Sequence, residues 1–333
     1  MIGFIKLVFL GLLACSILLS CLSIEPRVGE VAAGEVVAGE VAAVEVAAGE
    51  VAAGEVAAGE VAAGEVAAGE MVSDEVPCAS SSQGCPDLEF RHIEGGSFDM
   101  GDDNSSSENE KPAHNVNINS FEIMIAEVTV GQYRRCVEDE FCDVPRFQGD
   151  ENYTWSSSIG QRENYPINGI SWFQLMTFAA WVGARLPTES EWEYAARSQG
   201  QEHNYPWGNA EPTCELVNFN GSSFVNGPSQ KCGHSSGNTN QGICDMAGNM
   251  WEWVQDEWHS NYNGAPTDGT GWCMENCPRN ANDIISGQSY PTQRVLRGGH
   301  WNHGRSNIRT RHRYGASPTE NNKFHGGRLV RLP

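Results

Sequence analysis

The sequence predicts an α+β domain with few helices, small sheets and long loops, and three observations carry that prediction. Thr129, Ser171 and Thr188 stand three positions before Gln132, Gln174 and Glu191, the spacing of a helix start capped by reciprocal hydrogen bonds. Phe90 to Met100 and Val116 to Ile125 alternate apolar and polar residues as half-buried strands do. After Arg197 periodicity fades while Gly, Asn, Pro and Trp accumulate, and the ten tryptophans of the chain point to aromatic anchors under irregular loops.

In chain order, Met1 to Ser20 reads as a secretory signal: Lys6 supplies the positive start, and the apolar run Leu7 to Leu19 is too short to span a bilayer. Its end, LLSC, resembles a bacterial lipobox, with Cys21 as the expected lipidation site; LLAC at Cys15 leaves a cramped apolar core. Residues 21–77 form an acidic stalk, in which VAAGE repeats from Glu30 to Glu70. A period of five matches neither helix nor strand, and a Gly in each repeat costs about 1 kcal/mol against Ala in a helix. Spaced glutamates keep such a segment solvated, with a coil span of about 35 Å for roughly 40 residues. An exported, membrane-anchored bacterial lipoprotein of the cell envelope is the expectation, with the globular part at 78–333.

The net charge of −22 divides between the stalk (−11) and the remainder of the chain (−12), with Lys6 adding one positive charge. No basic patch suits nucleic acid. Of eleven cysteines, Cys15 lies in the signal and Cys21 is the lipid site; the rest, in an exported chain, read as disulfides. Cys78/Cys85, Cys136/Cys142 and Cys273/Cys277 are near pairs, Cys214/Cys232 are the natural partners left over, and Cys244 is expected to be a free buried thiol. No pair has the C-x₂-C spacing of a zinc site.

Phe90 to Met100 is expected to be a strand, a Gly-Gly turn and a second strand, and Val116 to Ile125 a third. Helices follow each capping box, the middle one running through Leu175, Met176 and Ala179 and stopping at Gly183. The chain is then organised around DMAGNMWEW, Asp245 to Trp253. Gly248-Asn249 tolerates positive φ and turns the chain, drawing Asp245 and Glu252 together. This is either a plain turn over buried Trp251 and Trp253, or an all-oxygen cage for a hard cation.

That nonapeptide resembles the signature of the formylglycine-generating enzyme family, the sulfatase-modifying factor domain. Further blocks stand in the family's order: GGSFDMG from Gly95, EKPAHNV from Glu110, EVTVGQY from Glu127, YPINGISW from Tyr165, RLPTESEWEYAAR from Arg185, YPWGN from Tyr205 and RVLRGGHW from Arg294. The resemblance implies a single domain grouped with C-type lectin-like folds. It implies a structural Ca²⁺ held by Asp245, Gly248, Met250 and Glu252, and a second site using Asn218 and Phe219. It also supports the Cys136/Cys142 and Cys214/Cys232 pairs.

The family's chemistry is oxidation of a substrate cysteine to formylglycine at copper held by two thiolates, which soft Cu(I) requires. By the resemblance those positions fall on Ile308 and Arg313, so copper is not expected and oxidase activity is in doubt. His300, His303, His312 and His325 gather nearby; they are expected to be surface histidines on loops, the alternative being a Cu, Zn or Fe site. Arg305, Arg309, Arg311, Arg313, Arg328 and Arg331 crowd the same segment, either as a partner face or, as favoured here, as counter-charge for acids such as Glu191 and Glu252. No G-x-S-x-G, H-E-x-x-H, Walker or Rossmann pattern occurs. Two functions remain: a calcium-stabilised surface module that binds a protein, peptide or glycan, and a metal-dependent oxidoreductase with a non-cysteine site.

Overall fold

Each helix begins where a short hydroxyl side chain can satisfy the first free amides. The computed structural model describes residues 76–81, 84–145, 151–155, 160, 162–221, 227–273, 277 and 293–333; the signal, the lipidation site and nearly all of the stalk lie outside them. Helices α1 (Val130–Glu138), α2 (Trp172–Trp181) and α3 (Glu189–Ala196) each carry a complete capping box, from Thr129, Ser171 and Thr188. Helix α2 ends at a C-cap on Val182, and Gly183 follows with φ 67°, the left-handed residue that closes a helix.

Nine short strands complete the described residues: β1 (Phe90–Ile93), β2 (Gly96–Met100), β3 (His114–Ile118), β4 (Phe121–Met124), β5 (Trp251–Glu257), β6 (Arg294–Arg297), β7 (Arg313–Ala316), β8 (His325–Gly326) and β9 (Val330–Arg331). They form three sheets ordered β1-β4-β9, β2-β3 and β7-β6-β5-β8. These small sheets and few helices make an α+β domain of the C-type lectin-like kind. Among the described residues no helix is long and apolar enough to cross a membrane.

Phe90 to Met100 is a strand, a turn at Gly95 and a second strand, as expected, with β1 paired to β4 and β2 to β3 in separate sheets. One strand expectation needs correction: Val116 to Ile125 is not one strand but breaks at Asn119 and Ser120 into β3 and β4. The turn and the break meet at one corner, where the Gly95 amide donates to the Ser120 hydroxyl (3.0 Å) and a Cβ on Gly95 would lie 2.5 Å from the Ile118 carbonyl oxygen. Only glycine fits so close a crossing.

Strand β5 is buried at all seven positions and divides the interior. Trp251 and Trp253 belong to one apolar cluster, with Trp172, Phe178 and Trp181 of α2; Val254 belongs to the other, with Trp192 and Tyr194 of α3 and Phe98 and Val116 of the β2-β3 ribbon. Its register sets Glu252 beside Arg297 on one flank and Gly326 on the other, and Trp251 beside His325.

Cys78–Cys85, Cys136–Cys142 and Cys273–Cys277 are bonded. Cys232, however, joins Cys244, with Cα atoms 5.1 Å apart, so Cys214/Cys232 is not a pair and Cys244 is not free. The physical reason lies next door: the Cys232 amide donates to Asp245 at 2.7 Å, which holds Cys232 against the residue preceding Asp245. Cys214 is also disulfide-bonded.

Candidate functional site: the tryptophan loop and the histidines around it

The DMAGNMWEW turn forms because its backbone enters the left-handed region where small or amide side chains tolerate it: φ is 56° at Asp245, 70° at Gly248 and 52° at Asn249. A Cβ on Gly248 would lie 2.2 Å from the Asn218 carbonyl oxygen, so no other residue fits. Asn249 staples the turn: its backbone amide donates to Asn218 (2.9 Å), its side-chain oxygen accepts from the Ser229 amide (2.9 Å), and its side-chain nitrogen donates to Glu127 (3.0 Å). Gly248 and Trp301 tie the turn to the RGGHW segment through the Gly248 amide on the Gly298 carbonyl and the Trp301 amide on the Asn249 carbonyl, both 2.9 Å.

Behind the turn lies a buried ionic centre. Both oxygens of Glu252 accept from Arg328 at 2.7 Å, and the Trp192 indole donates to the same carboxylate at 3.0 Å. Arg328 also donates to the carbonyls of Met124, Ile125 and Cys244. Sequence reading missed Glu127, which is fully buried, with one oxygen on Asn249 and the other without a partner. Burial, then repulsion from Asp245 and Glu252, holds the Glu127 carboxyl well above the usual carboxylate range. Burial likewise raises Asp245. Three acids facing one guanidinium leave two negative charges uncompensated if all ionise.

The calcium ligands proposed from sequence sit in this setting. Asp245, Gly248, Met250 and Glu252 line one turn, and Asn218, expected in a second site, packs on that turn through Asn249, its side-chain oxygen buried without a hydrogen-bond partner. Buried oxygens without partners, among acids that a cation would ionise, are surroundings suited to a hard divalent cation. Phe219 is buried with Tyr205, Val217, Ala247 and Ile308.

On the other side of Trp251 stand the histidines, and they are not surface residues. His300 and His325 are buried. His300 is sandwiched between His303 (ring centroids 3.6 Å) and Phe324 (3.9 Å); His303, His312 and Tyr314 surround Trp251 at 5.3, 5.7 and 5.7 Å; His325 packs on Trp253. Aromatic neighbours distant in sequence buried rings that local polarity had placed in solvent. Burial, helped by neighbouring imidazoles, lowers His300 to about 2 and His303 to about 4. Burial lowers His325 to about 3. These rings are therefore neutral. His312 is placed beside polar groups: the Asn307 amide faces its Nε2 (3.2 Å) and Glu110 lies 3.5 Å from its Nδ1. Burial opposes ionisation of Glu110, but His312, Arg309 and Ser105 together hold it at about 2.

The six arginines are counter-charge. Arg305 pairs with Glu211, Arg309 with Glu110, Arg311 with Glu202, Arg313 with Glu189, Arg328 with Glu252 and Arg331 with Glu122. Glu191 takes Arg185, outside that group. Of the positions aligned with the copper thiolates, Ile308 is fully buried in an apolar cluster and Arg313 is locked on Glu189. All nine described cysteines are disulfide-bonded.

A lectin-like α+β domain with a stapled tryptophan turn over a Glu–Arg centre defines the class of sulfatase-modifying factor domains. The chain belongs to that family: residues 80–333 match the sulfatase-modifying factor enzyme 1-like domain. It is similar to hercynine oxygenase of Mycolicibacterium smegmatis, 29% identical over 267 residues, covering 72% of this chain and 60% of the relative. The chain thus spans less than two thirds of that relative's length. A mouse relative named inactive Cα-formylglycine-generating enzyme 2 is 30% identical over 214 residues, covering 49% of this chain and 67% of that one. Among solved structures, PvdO from Pseudomonas aeruginosa aligns at 27% identity and TM-score 0.59, covering 74% of this chain and 95% of that one.

Proposed function

We propose that this chain is a ligand-binding, non-oxidase member of its family, displayed at the cell envelope by lipid on Cys21 with residues 21–77 as the spacer. The observation that carries the reading is the chemistry of the aligned thiolate positions. Ile308 fills an apolar cluster, Arg313 is locked on Glu189, and every described cysteine is consumed in a disulfide. No thiolate then remains among the described residues to hold Cu(I). Ca²⁺ in the Asp245–Glu252 turn stabilises the domain and does no chemistry. It would be held by the Asp245 and Glu252 carboxylates and the Gly248 and Met250 carbonyls, and it would offset the charge shared with Glu127.

The binding face is the aromatic shelf formed by half-exposed Tyr314 over Trp251 with His303 and His312, and it takes a protein, peptide or glycan segment. The neutral His303 imidazole and the ring faces there are suited to stacking, as in aromatic-lined sites generally. The test is a copper-loaded incubation with a sulfatase-type cysteine peptide, read for formylglycine by mass spectrometry; product formation would end this reading. A second reading, a metal-dependent oxidoreductase, is favoured by the neutral histidines and by the name of the mycobacterial relative. Against it, no three His, Cys, Asp or Glu side chains among the described residues stand close enough to hold a metal. The calcium turn needs only two side chains and main-chain oxygens.

A further inference from the structure

The Cys273–Cys277 bridge differs from the other described pairs in three ways. Both its cysteines are partly exposed, whereas Cys78, Cys136, Cys142 and Cys244 give each other pair a buried member. It closes the shortest segment, a separation of 4 residues against 6, 7 and 12, so it constrains the unfolded chain least. Most tellingly, the buried Arg294 guanidinium touches the Cys273 sulfur, Nη1 to Sγ 3.4 Å.

Arg294 is fixed in that pose. The same Nη1 donates to the Gln255 carbonyl at 2.8 Å, the guanidinium lies 4.3 Å over the Trp172 ring, and Glu257 pairs with it at 4.0 Å. A cation held against a sulfur stabilises that sulfur as thiolate, lowers its pKa and makes it the better leaving group. The partner sulfur lies close against Gly271, where a Cβ would stand 2.8 Å from Sγ of Cys277, so glycine is needed to seat the bridge there.

We propose that Cys273–Cys277 is a reducible, exchange-competent disulfide that reacts with an external dithiol, while the other described bridges are structural. An external thiolate attacks Sγ of Cys277; the S–S bond breaks and its electron pair remains on Sγ of Cys273, beside Arg294. The second external thiolate then displaces Cys277 from the mixed disulfide. The external dithiol is oxidised to a disulfide, and its two electrons and two protons reside on the Cys273–Cys277 dithiol. The return reaction needs an external disulfide of the same class.

The full chain is equilibrated in graded ratios of reduced to oxidised glutathione, alkylated, and mapped by mass spectrometry. Cys273 and Cys277 should become labelled at a thiol to disulfide ratio at least about tenfold lower than any other pair, and Trp272, adjacent to the bridge, should change emission in step. In a Cys277→Ala chain, the pH dependence of iodoacetamide labelling should place the Cys273 thiol well below the ordinary value of about 8.5, and Arg294→Gln should move it back up. Should Arg294→Gln fail to fold, the Cys277→Ala profile alone decides. Reduction no easier than for Cys136–Cys142, or a Cys273 thiol titrating at or above the ordinary value, would overturn the proposal.

Discussion

Trp251 separates two regions that solve burial of ionisable groups in opposite ways. Behind the DMAGNMWEW turn, Glu252 is paired with Arg328, with every nitrogen of the guanidinium engaged. In front of it, His300, His303 and His325 are kept neutral by burial, His300 between two rings. Compensated charge fixes geometry at the price of fragility, since removing one partner strands the other. Suppressed charge leaves uncharged ring faces but ties stability to pH. The first region is the frame, and the second is the face proposed for binding.

The largest expected effect falls on the frame. Arg328→Met leaves Glu252, Glu127 and Asp245 without their guanidinium and should cost about 3–5 kcal/mol, or a melting temperature lower by roughly 10 °C for a domain this size. Adding Glu252→Leu should recover much of the loss, as seen in thermal or denaturant melts. Equal losses in the single and double variants would mean that Arg328 acts through its carbonyl bonds alone.

Replacing both Cys232 and Cys244 by Ala frees the segment leading into Asp245 and should cost about 3 kcal/mol. Peptide mapping of the wild-type chain should find these two cysteines linked. A Cys214–Cys232 linkage would refute the pairing.

Calcium tests the charge balance of the same region. Where Ca²⁺ offsets the charge of ionised Asp245 and Glu127, chelation should lower the melting temperature and red-shift tryptophan emission, with saturating Ca²⁺ restoring about 2.7 kcal/mol at a hundred times Kd. Identical melts in excess chelator and excess calcium would mean that Glu127 carries a proton instead and that the turn stands alone.

The smallest effect per residue belongs to the histidines. Their folded-state pKa values lie below the unfolded value of 6.5, so the unfolded chain takes up the protons. Stability is thus full above that value and falls as pH drops from 6.5 towards 4. Each buried imidazole should contribute up to about 2 kcal/mol of loss by pH 5. His325→Asn should flatten the slope measured by urea unfolding; an unchanged slope would locate the acid sensitivity in the carboxylates.

What was legible in the sequence was local. Capping boxes at Thr129, Ser171 and Thr188 span three residues and need no knowledge of the rest of the chain, and Gly248-Asn249 announced its own backbone. The β1–β4 and β2–β3 pairings were not legible, because alternation marks a strand without naming its partner. Pairing Cys232 with Cys214 as the partners left over, with the resemblance in support, misses that its neighbour is set by a hydrogen bond to Asp245. Glu127 stood in plain view before the first capping box, yet its burial depends on Asn249, 122 residues away. The histidines looked exposed because Phe324 and Trp251, which cover them, are distant in the chain.

The central claim is that this domain binds without oxidising. Purified full chain, loaded with copper under reducing conditions and given a sulfatase-type cysteine peptide and oxygen, should leave the peptide cysteine unchanged by mass spectrometry over many hours. Formylglycine in that peptide, formed in proportion to enzyme, would contradict the account.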